Sequence, residues 1–135
     1  EISDEMKERL ESFLGGYASE EETAKEISRV YEKTGYVLDT HTAVASHVCR
    51  KLCGDDQKCV IASTASPYKF VKSVMTAIDS SYGGKDEFAL LETLRDVSKT
   101  PMPQAIKDIL DAKVLHTLEC DKNQMRELVK KLLIY

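Results

Sequence analysis

The chain has 135 residues, which is the size of one ordinary domain. Hydrophobic residues make up 42% and charged residues 31%, so the composition is globular and excludes a disordered tail. The net charge of −4 comes from interspersed acids and bases, which argues against a nucleic-acid surface, and no apolar stretch approaches the roughly 20 residues that cross a bilayer. Because no basic and apolar leader opens the sequence, we expect a cytoplasmic protein whose four cysteines are reduced thiols.

Two helices are predicted in the first third of the chain. Ser3 can cap a helix whose apolar residues recur every three or four positions until the pair Gly15–Gly16 ends it. Ser19 followed by Glu22 is a capping-box pattern, which starts a second helix that ends before Gly35.

A third helix and a strand are predicted next. Asp39 or Thr40 can cap a helix with apolar residues at four-residue spacing, which Gly54 ends. The run Cys59–Ala62 is apolar, too short for a helix and bounded by turn residues, so it is predicted to be a buried strand. Pro67 suits the first turn of the following helix, where its missing N–H costs nothing.

The rest of the chain completes a mainly helical pattern. Helices are predicted around Phe88–Val97, from Pro103 to Leu110 and after the capping pair Asp121 and Gln124, with residues 113–119 extended. The total is about seven helices and one or two strands. Because a single strand needs neighbours, the predicted fold class is α/β: a predominantly helical fragment whose strands belong to a larger α/β sheet. Residues 1–135 are expected to form a single C-terminal domain of a longer parent chain.

Two short patterns resemble hydrolase sites. Ser66 and Lys69 match S-x-x-K, in which a lysine one helical turn away activates a serine nucleophile, and residues 33–35 supply K-T-G. The K-T-G of such enzymes lies on a strand downstream, whereas here it lies upstream at a helix end, so we interpret the match as accidental. Asp39, His41 and Ser66 could form a triad, but Asp39 already has a capping role.

The cysteines could be metal ligands, but thiols packed in the protein interior are the favoured interpretation. Cys49 and Cys53 are four apart on the predicted third helix, and His47 and Cys59 are near in sequence. His47 and Cys49, however, point to different faces, and cysteine commonly packs as a small hydrophobe. Buried thiols are therefore favoured over zinc ligands, and no metal site is predicted.

The hydroxyl-rich segment 63–66 directly follows the predicted strand. In α/β proteins the carboxyl ends of strands are where ligands bind, so these hydroxyls could contact a ligand. Ser66 could equally cap the helix that begins near Pro67. The pattern alone leaves both functions open.

Three segments in order carry a resemblance to a known family: GGYASEEET at residues 15–23, TGYVLDTHTAVA at 34–45 and STASPYKF at 63–70. Together they resemble the carboxyl-terminal part of threonine synthase, most of all its bacterial and fungal form. The chain departs from the usual family pattern at Thr40, Ser66, Tyr68 and Val71, but not at Thr64.

The resemblance implies an enzyme that uses pyridoxal 5'-phosphate as an electron sink to convert O-phosphohomoserine and water into threonine and phosphate. In this family, it further implies, the pyridine nitrogen meets a neutral hydroxyl at a strand end, and Thr64 matches that position. Ser63 is the neighbouring candidate for cofactor binding. Since successive strand residues point to opposite faces, we expect only one of the two to reach the ring.

The family's Schiff-base lysine and phosphate-binding loop lie upstream of the region resembled. The fragment is therefore expected to be inactive alone, with the upstream N-terminal part of the same chain as its partner and O-phosphohomoserine as the substrate of the whole lyase. No nucleic acid or membrane partner is expected. The alternative is a non-catalytic helical interaction module, in which Thr64 only caps or packs.

Overall fold

The computed structural model describes residues 2–53 and 57–133. Within these residues the fold contains seven α-helices, which confirms the predicted number: α1 (Asp4–Arg9), α2 (Glu20–Thr34), α3 (Thr40–Cys53), α4 (Val71–Ile78), α5 (Glu87–Ser98), α6 (Gln104–Leu110) and α7 (Met125–Leu133). Three short 3-10 helices join them, at Pro67–Phe70, Ser80–Gly84 and Lys122–Gln124.

The hydrophobic core lies among α2, α3, α4 and α5, with α2 packed against α3 and α4, and α4 packed against α5. Apolar residues spaced three or four apart place one face of each helix inward. The side chains that are most completely buried there are Ile27, Val74, Met75, Leu90 and Leu94.

The ends of α2 form as predicted. Ser19 Oγ accepts the N–H of Glu22 at 3.2 Å, and the Glu22 carboxylate accepts the N–H of Ser19 at 2.8 Å, which completes the capping box. Gly35 ends the helix with φ of 72°, a left-handed conformation that glycine adopts without steric cost.

The first helix is shorter than predicted: α1 ends at Arg9, and none of its residues is buried. Helices in proteins depend mainly on packing of an apolar face, and Phe13 and Leu14 are both exposed. Gly16 has another role than ending this helix: a Cβ there would lie 2.5 Å from Val48 Cγ1, so glycine permits a close approach to α3.

The predicted buried strand at Cys59–Ala62 is wrong for this chain. Among the described residues there is no strand, and residues 58–64 run without regular structure. Val60 is 100% exposed, and a strand is held only by hydrogen bonds to a neighbouring strand. The segment 113–119 likewise forms no strand, and the predicted stop of α3 at Gly54 lies outside the described residues.

The carboxyl-terminal part forms its helices with little burial. Neither α6 nor α7 has a buried residue, although α7 is strongly amphipathic. The predicted pair at its start is present, since the N–H of Asp121 donates to Gln124 Oε1 at 3.4 Å. In the part of the chain that the structure describes, no helix combines the length and apolarity needed to span a membrane.

Candidate functional site

Asp39 is the residue on which the candidate site is built. It directly precedes α3, and its Oδ1 accepts the backbone N–H of His41 at 2.9 Å and that of Thr42 at 3.1 Å. These bonds satisfy two donors that a helix start leaves without intrahelical partners. The residue is only 1% exposed, so the carboxylate is fixed in place, and of the two predicted caps it is Asp39 that caps the helix.

The second carboxylate oxygen reaches across the fold to the hydroxyl-rich segment. Asp39 Oδ2 accepts the hydroxyl of Thr42 in a short hydrogen bond. The Ser63 hydroxyl lies 3.0 Å from Thr42 Oγ1 and 3.5 Å from Asp39 Oδ2. We call Asp39, Thr42 and Ser63 the hydroxyl clamp; it ties the segment 58–64 to the start of α3.

The structure treats the two predicted cofactor ligands differently. Both residues are exposed, but the hydroxyl of Ser63 is engaged in the clamp, whereas the side chain of Thr64 makes no hydrogen bond to any described residue. Of the two hydroxyls, that of Thr64 is therefore the one that described residues leave unused.

A cavity of about 350 Å³ opens beside His41, between the starts of α2 and α3 and the side chain of Phe70. The His41 and Phe70 rings pack with their centroids 5.3 Å apart, and His41 Nδ1 lies 3.6 Å from Asp39 Oδ1. Ser66 Oγ accepts the N–H of Tyr68 at 3.3 Å, so this hydroxyl caps the 3-10 helix and is not an activated nucleophile.

Three cysteines come together at the other end of α3. The Sγ atoms of Cys49, Cys53 and Cys59 all lie within 4.8 Å of one another. Hydrogen bonding with Cys49 raises the pKa of the Cys59 thiol. The sequence pointed to these cysteines through the four-residue spacing of Cys49 and Cys53, but packing as buried thiols was favoured; in the structure Cys49 and Cys53 are half-buried and Cys59 is exposed.

A buried carboxylate joins α2 to α3. Glu26 accepts hydrogen bonds from Arg29 Nε at 2.9 Å, Ser46 Oγ at 2.7 Å and Arg50 Nη2 at 3.1 Å. Burial alone raises the pKa of Glu26, but the bonds from Arg29, Ser46 and Arg50 outweigh it and lower the pKa to about 2. No pattern in the sequence separates Glu26 from the neighbouring acids of α2.

Comparison with known proteins identifies the family. Residues 42–131, about two thirds of the chain, match the family described as "Threonine synthase, C-terminal". The chain belongs to this threonine synthase family. The matched range contains Ser63 and Thr64, and Asp39 lies just before it.

Relatives of the chain carry threonine synthase names. Threonine synthase-like 1 of Mus musculus is 35% identical over 101 residues, which cover 73% of this chain and 13% of that protein. Threonine synthase-like 1 of Homo sapiens is 36% identical over 81 residues, covering 58% of this chain and 11% of that protein. Threonine synthase of Schizosaccharomyces pombe is 35% identical over 72 residues, which cover 50% of this chain and 14% of that protein. The chain thus spans less than a sixth of the length of these relatives.

Proposed function

We propose that the chain is the C-terminal part of a threonine synthase, a lyase that depends on pyridoxal 5'-phosphate and converts O-phosphohomoserine and water into threonine and phosphate. Membership of the family supports the proposal, as does similarity to the Schizosaccharomyces pombe protein of that name. The observation that carries it is the contrast between the engaged Ser63 and the free Thr64 hydroxyl.

The Thr64 hydroxyl fits the pyridine nitrogen of this cofactor. A threonine hydroxyl offers one donor and two acceptor lone pairs, and no described residue uses those of Thr64. When bound, the cofactor would supply an electron sink for the bond-breaking steps. Because a hydroxyl has a pKa far above 7, Thr64 would donate to a neutral ring nitrogen, whereas a carboxylate would hold a proton on it.

The hydroxyl clamp positions Thr64 without touching the ligand. Asp39 is fixed by the first turn of α3, the Thr42 hydroxyl donates to Asp39, and the Ser63 hydroxyl lies within hydrogen-bond distance of Thr42 Oγ1. The backbone just before Thr64 is therefore held at one point. A preorganised donor loses less conformational entropy when the ligand binds.

The proposal is tested by Thr64→Ala in the full-length protein that contains this chain. Loss of one hydrogen bond worth about 0.5–1.5 kcal/mol should weaken cofactor affinity by roughly 2- to 13-fold, measured by absorbance after dialysis against graded cofactor. Thr64→Ser should restore most of the affinity. Thr93→Ala is the control, because Thr93 is a half-buried threonine on α5 whose hydroxyl donates only to the Ala89 carbonyl within the helix. Unchanged affinity in Thr64→Ala would reject the assigned contact.

The variant Ser63→Ala distinguishes a residue that positions Thr64 from one that contacts the cofactor directly. It removes the link to Thr42 but leaves the Thr64 hydroxyl, so we expect a smaller loss of cofactor affinity than for Thr64→Ala. A larger loss in Ser63→Ala would exchange the roles of the two residues.

The non-catalytic helical interaction module remains the second candidate function. It is favoured by the exposed apolar residues before α2 and on α7. In the proposed enzyme, the upstream part of the chain covers these surfaces and supplies the Schiff-base lysine. The two functions differ in one measurement: a full-length protein that takes up no pyridoxal 5'-phosphate and releases no phosphate from O-phosphohomoserine is the interaction module.

A further inference from the structure

The cluster of Cys49, Cys53 and Cys59 has the composition of a site for a thiophilic metal ion. Cys49 and Cys53 lie one turn apart on the same face of α3, and the Sγ atom of Cys59 lies close to theirs. All three are free thiols. Three sulfur donors at one point are ligands that zinc binds well and that magnesium and calcium do not.

The spacing of the sulfurs suits a tetrahedral ion. A Zn–S bond of about 2.3 Å requires sulfur atoms about 3.8 Å apart in a tetrahedral site. The three Sγ atoms already lie within 4.8 Å of one another, so contraction by about 1 Å or less brings them to bonding positions. Rotation about side-chain bonds supplies a movement of this size.

The position of the cluster does not favour a reactive thiol. Cys53 is the last described residue of α3, and the carbonyl groups at a helix C-terminus carry partial negative charge. That charge destabilises a free thiolate, so a bound metal ion would be needed to hold the sulfurs deprotonated. Reactive cysteines, in contrast, lie at positively charged positions such as helix N-termini.

We propose that Cys49, Cys53 and Cys59 bind one zinc ion as three thiolate ligands. Since Cys59 is exposed, water completes the coordination. Each thiol releases its proton to solvent when the ion binds, and no electron is transferred. The ion would fasten the start of segment 58–64 to the end of α3, while the hydroxyl clamp fastens its other end to the start of the same helix.

The test is metal binding by the full-length protein that contains this chain, purified under reducing conditions. We expect a zinc-dependent protection of Cys59 from alkylation, read by peptide mass spectrometry. Titration with Co²⁺ should give the sulfur-to-metal charge-transfer and tetrahedral absorption bands, which one equivalent of zinc removes. Neither readout depends on enzyme activity or on pyridoxal 5'-phosphate, so failure here is distinguishable from failure of the proposed function.

Variants identify the ligands. Cys49→Ser, Cys53→Ser and Cys59→Ser should each weaken zinc binding by at least about tenfold, because even the loss of outer-shell groups costs about 10- to 100-fold. Cys120→Ser is the matched control, since Cys120 is exposed and outside the cluster. If a variant fails to fold, alkylation of Cys59 in the unsubstituted protein with and without zinc still tests whether zinc binds there.

Several outcomes would overturn the proposal. These are equal alkylation of Cys59 with and without zinc, Co²⁺ spectra without tetrahedral bands, or Cys120→Ser weakening binding as much as the cluster variants.

Discussion

The region from α2 to α5 and the two ends of the described chain contain similar helices, but they differ in burial. Helices α2, α3, α4 and α5 all contribute buried residues, whereas α1, α6 and α7 contribute none. The ends are not polar: apolar side chains are exposed there, among them Phe13, Leu14, Leu115 and Leu133.

The comparison shows that a helical pattern and a buried face are separate properties of this sequence. Caps and amphipathic spacing form helices in both regions, as the capping side chains of Ser3 and Ser19 illustrate. Burial stabilises only the helices of the central region, so we expect the same substitution to have different effects in the two places.

The largest difference in stability between the two regions is expected when a leucine is replaced by alanine. Leu94 on α5 is 0% exposed, and Leu94→Ala should lower the free energy of unfolding by about 2–5 kcal/mol, since it removes buried methyl groups and leaves a cavity. Leu115 is 77% exposed, and Leu115→Ala should change it by less than about 0.5 kcal/mol. Urea denaturation followed by circular dichroism measures both. Equal effects would remove the distinction between the regions.

A smaller difference is expected for the ion pairs. Glu26→Gln leaves Arg29 and Arg50 without the buried carboxylate and should cost about 1.5–3 kcal/mol, the range for hydrogen bonds to charged groups. Glu5 pairs with Arg9 on the exposed surface of α1, and Glu5→Gln should cost no more than about 1 kcal/mol. The same denaturation experiment compares them, and a large effect at Glu5 would show that α1 is coupled to the core.

The Glu26 contribution should depend on pH in a defined direction. Its folded pKa of about 2 lies below the ordinary value of 4.5, so between these values the unfolded state binds more protons. The stabilisation is complete above pH 4.5 and is lost as the pH falls towards 2. The gap in unfolding free energy between the unsubstituted chain and Glu26→Gln should therefore narrow from pH 7 to pH 3. A constant gap would contradict the low pKa.

The smallest difference is expected for the helix caps. Ser3 Oγ accepts the N–H of Met6 and Ser19 Oγ that of Glu22, both at 3.2 Å. Ser19→Ala should lower the global stability by about 1 kcal/mol. Ser3→Ala should leave it unchanged, because α1 opens without disturbing the core. Amide hydrogen exchange in α1 should nevertheless become faster in Ser3→Ala, because the cap is lost. Slow exchange of the α1 amides in both Ser3→Ala and Ser19→Ala would refute the opening of α1 independently of the core.

The helices could be predicted because their signals are local. The capping box of Ser19 and Glu22, the stop at Gly35 and the Asp39 cap each act within a few residues, and all three form. The end of α1 could not be predicted, because the apolar pattern through Leu14 needs a surface to pack against and the described residues supply none.

The arrangement around Ser63 and Thr64 could not be predicted from the sequence, and their role as cofactor ligands stays a prediction. The resemblance singled out Ser63 and Thr64, yet the strand assigned before them required neighbours that the described chain lacks. What holds Ser63 is Thr42, 21 positions earlier. The meeting of Cys59 with Cys49 and Cys53 could not be predicted for the same reason, since a contact between a helix and a later segment leaves no periodic pattern.

The carboxylate of Asp39 also sets which substitutions the chain can tolerate there. Asparagine is as good a helix cap as aspartate, and its side-chain oxygen would keep the bonds to His41 and Thr42. Its amide nitrogen, however, is a donor and cannot accept the hydroxyl of Thr42. A folded α3 is therefore a weaker requirement on position 39 than an intact hydroxyl clamp, so the chain could keep α3 while losing the acceptor that Thr42 uses.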